Sequence, residues 1–364
     1  MDALLNTNAF QAAITELDIL FVPVSGPMGM GELSQCAILA QALKLAVPEI
    51  TMACLLHHGA AGKFAPGWRE IPLEQTPTLA NRETTAWIKR LKPRVVVFDS
   101  AGRAAQLRAA KAIGAHTIFM AGRETSRRKI ISLRRLRNLD VLWLSQPEAF
   151  WRPLPLWKRF LLRCHHKLIV DTIGVVFAKA DSSQLEPELV AFAAAAPFVL
   201  MSLGGGGIFS AGIDQNALAL QAAEACFAKT NVRSILICGP NAAALPPSTA
   251  ACYVLRSVPN AALVALIEAS LVVLCNGGYT LLQAVALNKA TLALALQGDQ
   301  QQRIDRLAAI GATYPSRPES LITDLVKLVQ TPAAREALVA AAQASGVDNG
   351  LDKAVRRLRE KVVR

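Results

Sequence analysis

Aromatic side chains are scarce: three tyrosines, and 5% Phe, Trp and Tyr together in 364 residues. So few rings give little base-stacking surface, which argues against a nucleic-acid-binding function. The seven cysteines are scattered and include no Cys-x-x-Cys pair. That excludes a secreted disulfide framework and the common structural zinc pattern. Pro, Gly and charges break every long apolar run, so no stretch of about 18 uncharged apolar residues reads as a membrane span. The first twenty residues carry Asp2, Glu16 and Asp18 but no Lys or Arg, unlike a secretory leader. With 52% hydrophobic and only 18% charged residues, the chain is too apolar to be disordered. The expectation is a soluble protein of a reducing, cytoplasmic compartment. At about 100–200 residues per domain, it holds two domains.

What is present in excess is positive charge, formally +12. Residues 1–170 hold 23 basic and 12 acidic side chains, whereas residues 171–364 hold 16 and 15. The last segment, 351–364, has six basic and two acidic residues. The first half and the last helix are therefore basic and the remainder mildly acidic, so the basic part is expected to meet an anionic partner. Its densest cluster is Arg123, Arg127, Arg128, Lys129, Arg134, Arg135 and Arg137. A second one, Arg152, Lys158, Arg159, Arg163 and Lys167, is interleaved with Trp151, Leu156, Trp157 and Phe160. Basic residues beside Trp and Leu suit the surface of an anionic membrane. They equally suit a solvated helix face whose apolar side is core.

The chain alternates strand and helix signals. Asp18–Val24 is an apolar run of strand length, followed by a Gly-rich turn over 25–31 and helical spacing over Leu33–Leu45. Strands are further predicted at Ile50–Leu56, Val95–Asp99, Thr117–Met120 and Val141–Leu144, with a helix over Ala101–Ile113. The pattern pauses around Asp181–Pro197 and restarts with strands at Phe198–Leu203, Ser234–Cys238, Cys252–Leu255, Leu271–Cys275 and Ala290–Leu296. Helices are predicted between them, and a last one at Asp352–Val363. The fold expected is α/β: two Rossmann-like parallel-sheet domains across a cleft. The divisions predicted are 1–180, 181–350 and a basic helix at 351–364.

Five groups of residues could carry chemistry. Gly204, Gly205, Gly206 and Gly207 follow a strand directly, where free backbone N–H groups could hold a phosphate or simply form a tight turn. Asn276-Gly277-Gly278-Tyr279-Thr280 joins a strand to a helix. Thr280 there is a candidate N-cap, and Gln283 either reaches a ligand hydroxyl or folds back in a capping box. Asp299, Gln300 and Gln301 follow another strand and suit sugar hydroxyls, or begin a helix with Asp299 as its cap. Glu32, after Gly29-x-Gly31, is a candidate general base or a first-turn acid facing the helix dipole. Asp99 ends a strand as a crevice residue or a helix cap. The His57-His58 and His165-His166 pairs suggest no metal site, since neighbouring side chains are expected to point apart. A nicotinamide fingerprint fails at Ser34.

Taken in order, the 199–206 segment, Val258-Pro259-Asn260, Asn276–Thr280, Leu287–Leu294 and Gly298-Asp-Gln-Gln301 resemble a known series. It is that of the donor domain of GT-B glycosyltransferases of the family 28 type, the peptidoglycan lipid I N-acetylglucosaminyltransferase type. The first loop is similar to theirs and to that of the UDP-sugar hydrolase of the pseudaminic acid pathway. The resemblance implies that backbone near Val258 holds the nucleobase and that the two glycine loops hold the diphosphate. Gln283 would bind ribose, where relatives have Glu, and Asp299, Gln300 and Gln301 the donor sugar. Glu32 stands where His is usual. The implied activity is inverting transfer from a nucleotide sugar, a UDP-sugar favoured, with no cofactor and no metal. The expected acceptor is a lipid-linked sugar, lipopolysaccharide core or other anionic group at the inner face of the cytoplasmic membrane. The final helix would cross back onto the N-terminal domain. A nucleotide-sugar hydrolase or epimerase, or a non-catalytic membrane-docked relative, are the alternatives.

Overall fold

The computed structural model describes residues 17–25, 30–64, 66–147, 150–205, 214–296 and 298–362. The chain forms two compact units. One comprises Met1–Val176 with Gly350–Arg364, the other Phe177–Asn349.

The first unit has a seven-stranded sheet, parallel throughout. Its strands are β1 (Ile19–Pro23), β2 (Met52–His57), β3 (Arg69–Leu73), β4 (Val95–Asp99), β5 (His116–Ala121), β6 (Val141–Leu144) and β7 (Ile169–Thr172). They lie in the order β3-β2-β1-β4-β5-β6-β7. β1 pairs with β2 on one side and β4 on the other, Phe21 opposite Cys54 and Val97. All five residues of β1 and of β4 are buried. This is why those strands read as continuous apolar runs: a parallel sheet is covered on both faces. The core on one face includes Leu20, Val22, Val96, Phe98, Leu107 and Phe119.

The helix Leu351–Val362 belongs to this unit. Leu351, Ala354, Val355, Leu358 and Val362 form its buried stripe, at the spacing of one helical face. It packs on the helix Gly31–Ala46, which follows β1 directly. Lys353 Nζ and Arg357 Nε reach Asp171 at 2.7 and 3.4 Å. Arg94 donates to the carbonyl of Val362 at 2.7 Å, satisfying one of the last orphan acceptors.

The basic segments divide. In the first cluster Ile130, Ile131 and Leu136 are core, and Arg127 is itself buried. Its guanidinium lies 5.1 Å from the Trp151 ring. Trp151 is only 6% exposed and donates its indole N–H to Gln146, so it is not the surface Trp that the sequence suggests. The helix Leu156–Cys164 behaves oppositely and buries no residue. Leu156, Trp157 and Phe160 stand 57–79% exposed, with Ile169 and Val170 of edge strand β7 also exposed.

Asp140, just before β6, is a structural anion. It accepts from Lys111 Nζ at 2.9 and 3.0 Å, and from the Thr117 N–H and hydroxyl at 2.8 and 3.0 Å. Burial alone would raise its pKa, but these donors outweigh it and hold the carboxyl below the ordinary range. Its stabilisation is therefore present above the unfolded carboxylate pKa of about 3.9 and is lost as the pH falls through the folded value. Asp140→Asn is expected to cost about 1.5–3 kcal/mol at pH 7. The difference from wild type should shrink in urea denaturation as the pH is taken down through the folded value.

The second unit has a six-stranded parallel sheet. Its strands are β8 (Phe198–Ser202), β9 (Arg233–Ile237), β10 (Cys252–Leu255), β11 (Val272–Asn276), β12 (Thr291–Leu294) and β13 (Tyr314–Ser316). The order is β10-β9-β8-β11-β12-β13. The helices Gln215–Thr230 and Leu321–Gln330 pack against each other on one face, over Val199, Met201, Leu236, Leu274 and Leu292. Edge strands β3, β7 and β13, and the helices Asn81–Leu91, Pro187–Ala195, Leu321–Gln330 and Pro332–Ala344, add to the elements legible in the sequence.

Candidate functional site

In each sheet the strand order reverses once, between β1 and β4 and between β8 and β11. Open parallel sheets bind ligands at the carboxyl ends of strands, where the order reverses. Glu32 and Asp99 fall at the first of these places and Gly204, Gly205 and Asn276–Thr280 at the second, with Val258, Gln300 and Gln301 after β10 and β12 of the same sheet.

In the second unit, β8 leads into Gly204 and Gly205, and β11 ends on Asn276. The Asn276 side chain joins the two loops. It donates to the Leu203 carbonyl at 2.8 Å and accepts from the Gly278 N–H at 2.9 Å. Gly204 has a φ of +109°, and a Cβ there would lie 2.5 Å from Asn276 Nδ2. Only glycine fits. Gly205 accepts from the Asn241 N–H at 2.9 Å, tying in the loop after β9. Gly277 packs on the helix Gly298–Ala309, where an added Cβ would stand 2.7 Å from the Gln300 carbonyl oxygen. Arg303 of that helix donates to the Gly277 carbonyl. Gly206 lies outside the described residues.

The helix after β11 begins at Tyr279, with Gly278 as its N-cap and no side-chain cap bond. The expected Thr280 cap and its box with Gln283 are therefore not formed. Asn276 has already fixed the turn at Gly278, which leaves Thr280 inside the first turn. Gln283 is 3% exposed. The side-chain Oε1 of Gln300 accepts from the Leu296 N–H at 2.9 Å, and the Gln301 amide donates to Asp305 at 2.7 Å. Each thus commits one amide atom within the protein. The Asp299 side chain lies outside the described residues. Val258 is half-buried in the loop after β10, at the same end of the sheet.

In the first unit, Glu32 sits in the first turn of the helix Gly31–Ala46 and is 7% exposed. Asp99 ends β4 and is 1% exposed. It caps no helix, since the next one starts at Ala104 with Arg103 as its cap. Sequence reading missed their common partner. Arg123 Nη2 lies 3.0 Å from Glu32 Oε1 and follows β5, the strand beside β4. Its place just past a strand's carboxyl end was the available signal. Ser100 beside Asp99 has a φ of 55°, a left-handed conformation that non-glycine residues rarely adopt. Asp99 Oδ2 is buried without a hydrogen-bond partner. Burial, and then the Glu32 charge, push the Asp99 carboxyl well above the usual range, against the pull of Arg123. The pair is thus an Arg-bound Glu32 beside a buried acid that binds its proton more tightly than an ordinary carboxyl.

The His57 and His58 rings stack 4.4 Å apart rather than diverging. Among the described residues, no three His, Cys, Asp or Glu side chains group as a metal site. No helix there is long and apolar enough to cross a membrane.

No family model matches the sequence, and no curated protein does. Solved structures match over nearly the whole chain. The glycosyltransferase SnogD from Streptomyces nogalater shares 16% identity at a TM-score of 0.68, covering 95% of this chain and all of that one. MurG of Acinetobacter baumannii shares 14% at 0.57, covering 94% and 99%. The spinosyn rhamnosyltransferase SpnG, complexed with thymidine diphosphate, shares 15% at 0.62, covering 94% and all of that chain. With its two Rossmann-like parallel-sheet units and a last helix that returns to the first, the chain has the GT-B fold of these glycosyltransferases.

Proposed function

We propose that this protein is a glycosyltransferase that moves a sugar from a nucleotide-sugar donor, a UDP-sugar favoured, to a membrane-associated or anionic acceptor. The observation that carries this reading is the pair of glycine loops joined through Asn276 at the strand reversal of the second unit. Glycines held this closely leave only backbone facing a ligand. Backbone N–H groups and the N-terminus of the helix Tyr279–Ala286 then balance the charge of a diphosphate. Val258 would lie along the base, Gln283 would bind ribose, and Asp299, Gln300 and Gln301 would bind the sugar.

Glu32 acts as general base. An acceptor hydroxyl attacks the anomeric carbon, its proton passes to the Glu32 carboxylate, and the bond from that carbon to the diphosphate oxygen breaks. Configuration inverts, the nucleoside diphosphate leaves, and no metal or other cofactor takes part. Arg123 orients the Glu32 carboxylate between turnovers. The acceptor side docks on the cytoplasmic face of an anionic membrane. There the exposed Leu156, Trp157 and Phe160 enter the interface beside Lys158, Arg159 and Arg163.

Calorimetry with UDP, GDP and dTDP, and sedimentation with phosphatidylglycerol vesicles, test the two halves. One nucleotide should bind at micromolar to submillimolar levels. Leu156→Glu with Phe160→Glu should release the protein from vesicles. No nucleotide binding at millimolar levels sinks the transferase reading. Catalytic release of free nucleotide without acceptor assigns hydrolysis instead.

A further inference from the structure

The first unit contains a cavity of about 420 Å³ whose lining includes Ser100, Arg103, Phe119, Ser126, Lys129 and Arg135. It lies beside the strand reversal, since Ser100 follows Asp99 at the end of β4. Three cations border it, and none pairs with a carboxylate among the described residues. The Arg103 guanidinium donates Nε to the Thr78 carbonyl at 3.2 Å. Arg135 donates to the Lys129 carbonyl. Both guanidiniums are thus held by neutral acceptors, which leaves their charge unbalanced. Burial pushes Arg135 down from its ordinary value, and the Arg103 charge adds to that.

Arg103 and Lys129 are exposed at the rim and Arg135 is half-buried. Like charges gathered around one recess repel one another, and an anion that joins them relieves this. Elsewhere in this unit the buried Arg127 pairs with Glu124 and the half-buried Arg94 with Asp18. Two guanidiniums and an ammonium around one space match a phosphate oxyanion better than a single carboxylate. Arg forks bind phosphate oxygens bidentately and Lys adds a point charge.

We infer that this cavity is a binding site for a phosphate or diphosphate ester, held by Arg103, Lys129 and Arg135. It belongs to the first unit, whereas the donor loops belong to the second. Where the bound ester is identified with the acceptor, the inference rests on the transferase reading above. The anion site itself does not.

The test is calorimetric titration of the full-length protein with inorganic pyrophosphate at low salt. Wild type is compared with Lys129→Gln and Arg135→Gln, and folding is checked by circular dichroism. Each charge-assisted contact is worth about 1.5–3 kcal/mol, so each variant should weaken binding by about 10–100-fold. Lys129→Gln guards against misfolding, because the lysine's Nζ makes no ion pair among the described residues. UDP affinity should stay unchanged in both variants. Unchanged pyrophosphate affinity in both variants overturns the site. So does competition of pyrophosphate with UDP for one site, since the anion would then occupy the donor loops. Failure of UDP alone to bind would instead count against the transferase reading and leave the pyrophosphate result intact. A second arm uses geranyl diphosphate in detergent. Tighter binding than pyrophosphate assigns a lipid-borne ester, and equal binding a free one.

Discussion

Glu32→Gln is expected to lower transfer by about 10²–10³-fold while leaving nucleotide affinity within about twofold, in the range that a positioned general base contributes. Glutamine keeps the size of the side chain but can take no proton from an acceptor. It also ends the ion pair with Arg123, 3.0 Å away. The same substitution should alter stability with pH in a defined direction. The Asp99 carboxyl is raised first by burial and second by the Glu32 charge. A raised acid binds its proton more tightly when folded. Its contribution is therefore full below the unfolded carboxylate pKa and is lost as the pH rises through the folded value. Without the Glu32 charge that loss is smaller. Urea midpoints measured from pH 4 to pH 8 should fall less steeply in the variant than in wild type. Wild-type turnover in Glu32→Gln would remove the base from the mechanism.

Gly277→Ala should abolish most donor binding, by roughly 30-fold or more, and cost about 1–3 kcal/mol in stability as an overpacked contact does. The new methyl group would meet the Gln300 carbonyl at 2.7 Å and its Cβ at 2.8 Å. Neither is the free end of a flexible side chain. Relief requires moving either the loop after β11 or the helix Gly298–Ala309, and each carries proposed donor contacts. Thr280→Ala gives the contrast. Thr280 forms no cap bond, so its loss should reach only the phosphate and cost a few-fold in affinity. A calorimetric series in which Gly277→Ala binds nucleotide as wild type does would sink the donor-loop assignment.

The central strands were legible because of how they are covered. β1, β4, β8 and β11 are buried at every residue, and such strands show as unbroken apolar runs. Of the four edge strands only β10 was legible, and three escape that signal. β3 is Arg-Glu-Ile-Pro-Leu, β7 is mostly exposed, and β13 has three residues. Each has a neighbour on one side only, so composition does not mark them. The candidate positions clustered at strand ends because glycine loops and terminal acids are local features. The Glu32–Arg123 pair is not local. Its members lie ninety-one positions apart, and Arg123 looked like one more cation in a basic run. The Thr280 cap failed for a related reason: Asn276 claims the turn through a bond to Leu203, seventy-three positions away.

The returning helix has a consequence for the order in which this chain matures. The second unit is an interruption within the first, and its ends meet: Asn349 donates to the Phe177 carbonyl at 2.9 Å. Around it the first unit closes with the Gly350 N–H on the Val175 carbonyl at 2.8 Å. On the ribosome, the first unit is begun before the second but lacks its last helix until the second has been made. The helix Gly31–Ala46 waits for the buried stripe of Leu351–Val362, so the basic half of the protein is the last to be sealed.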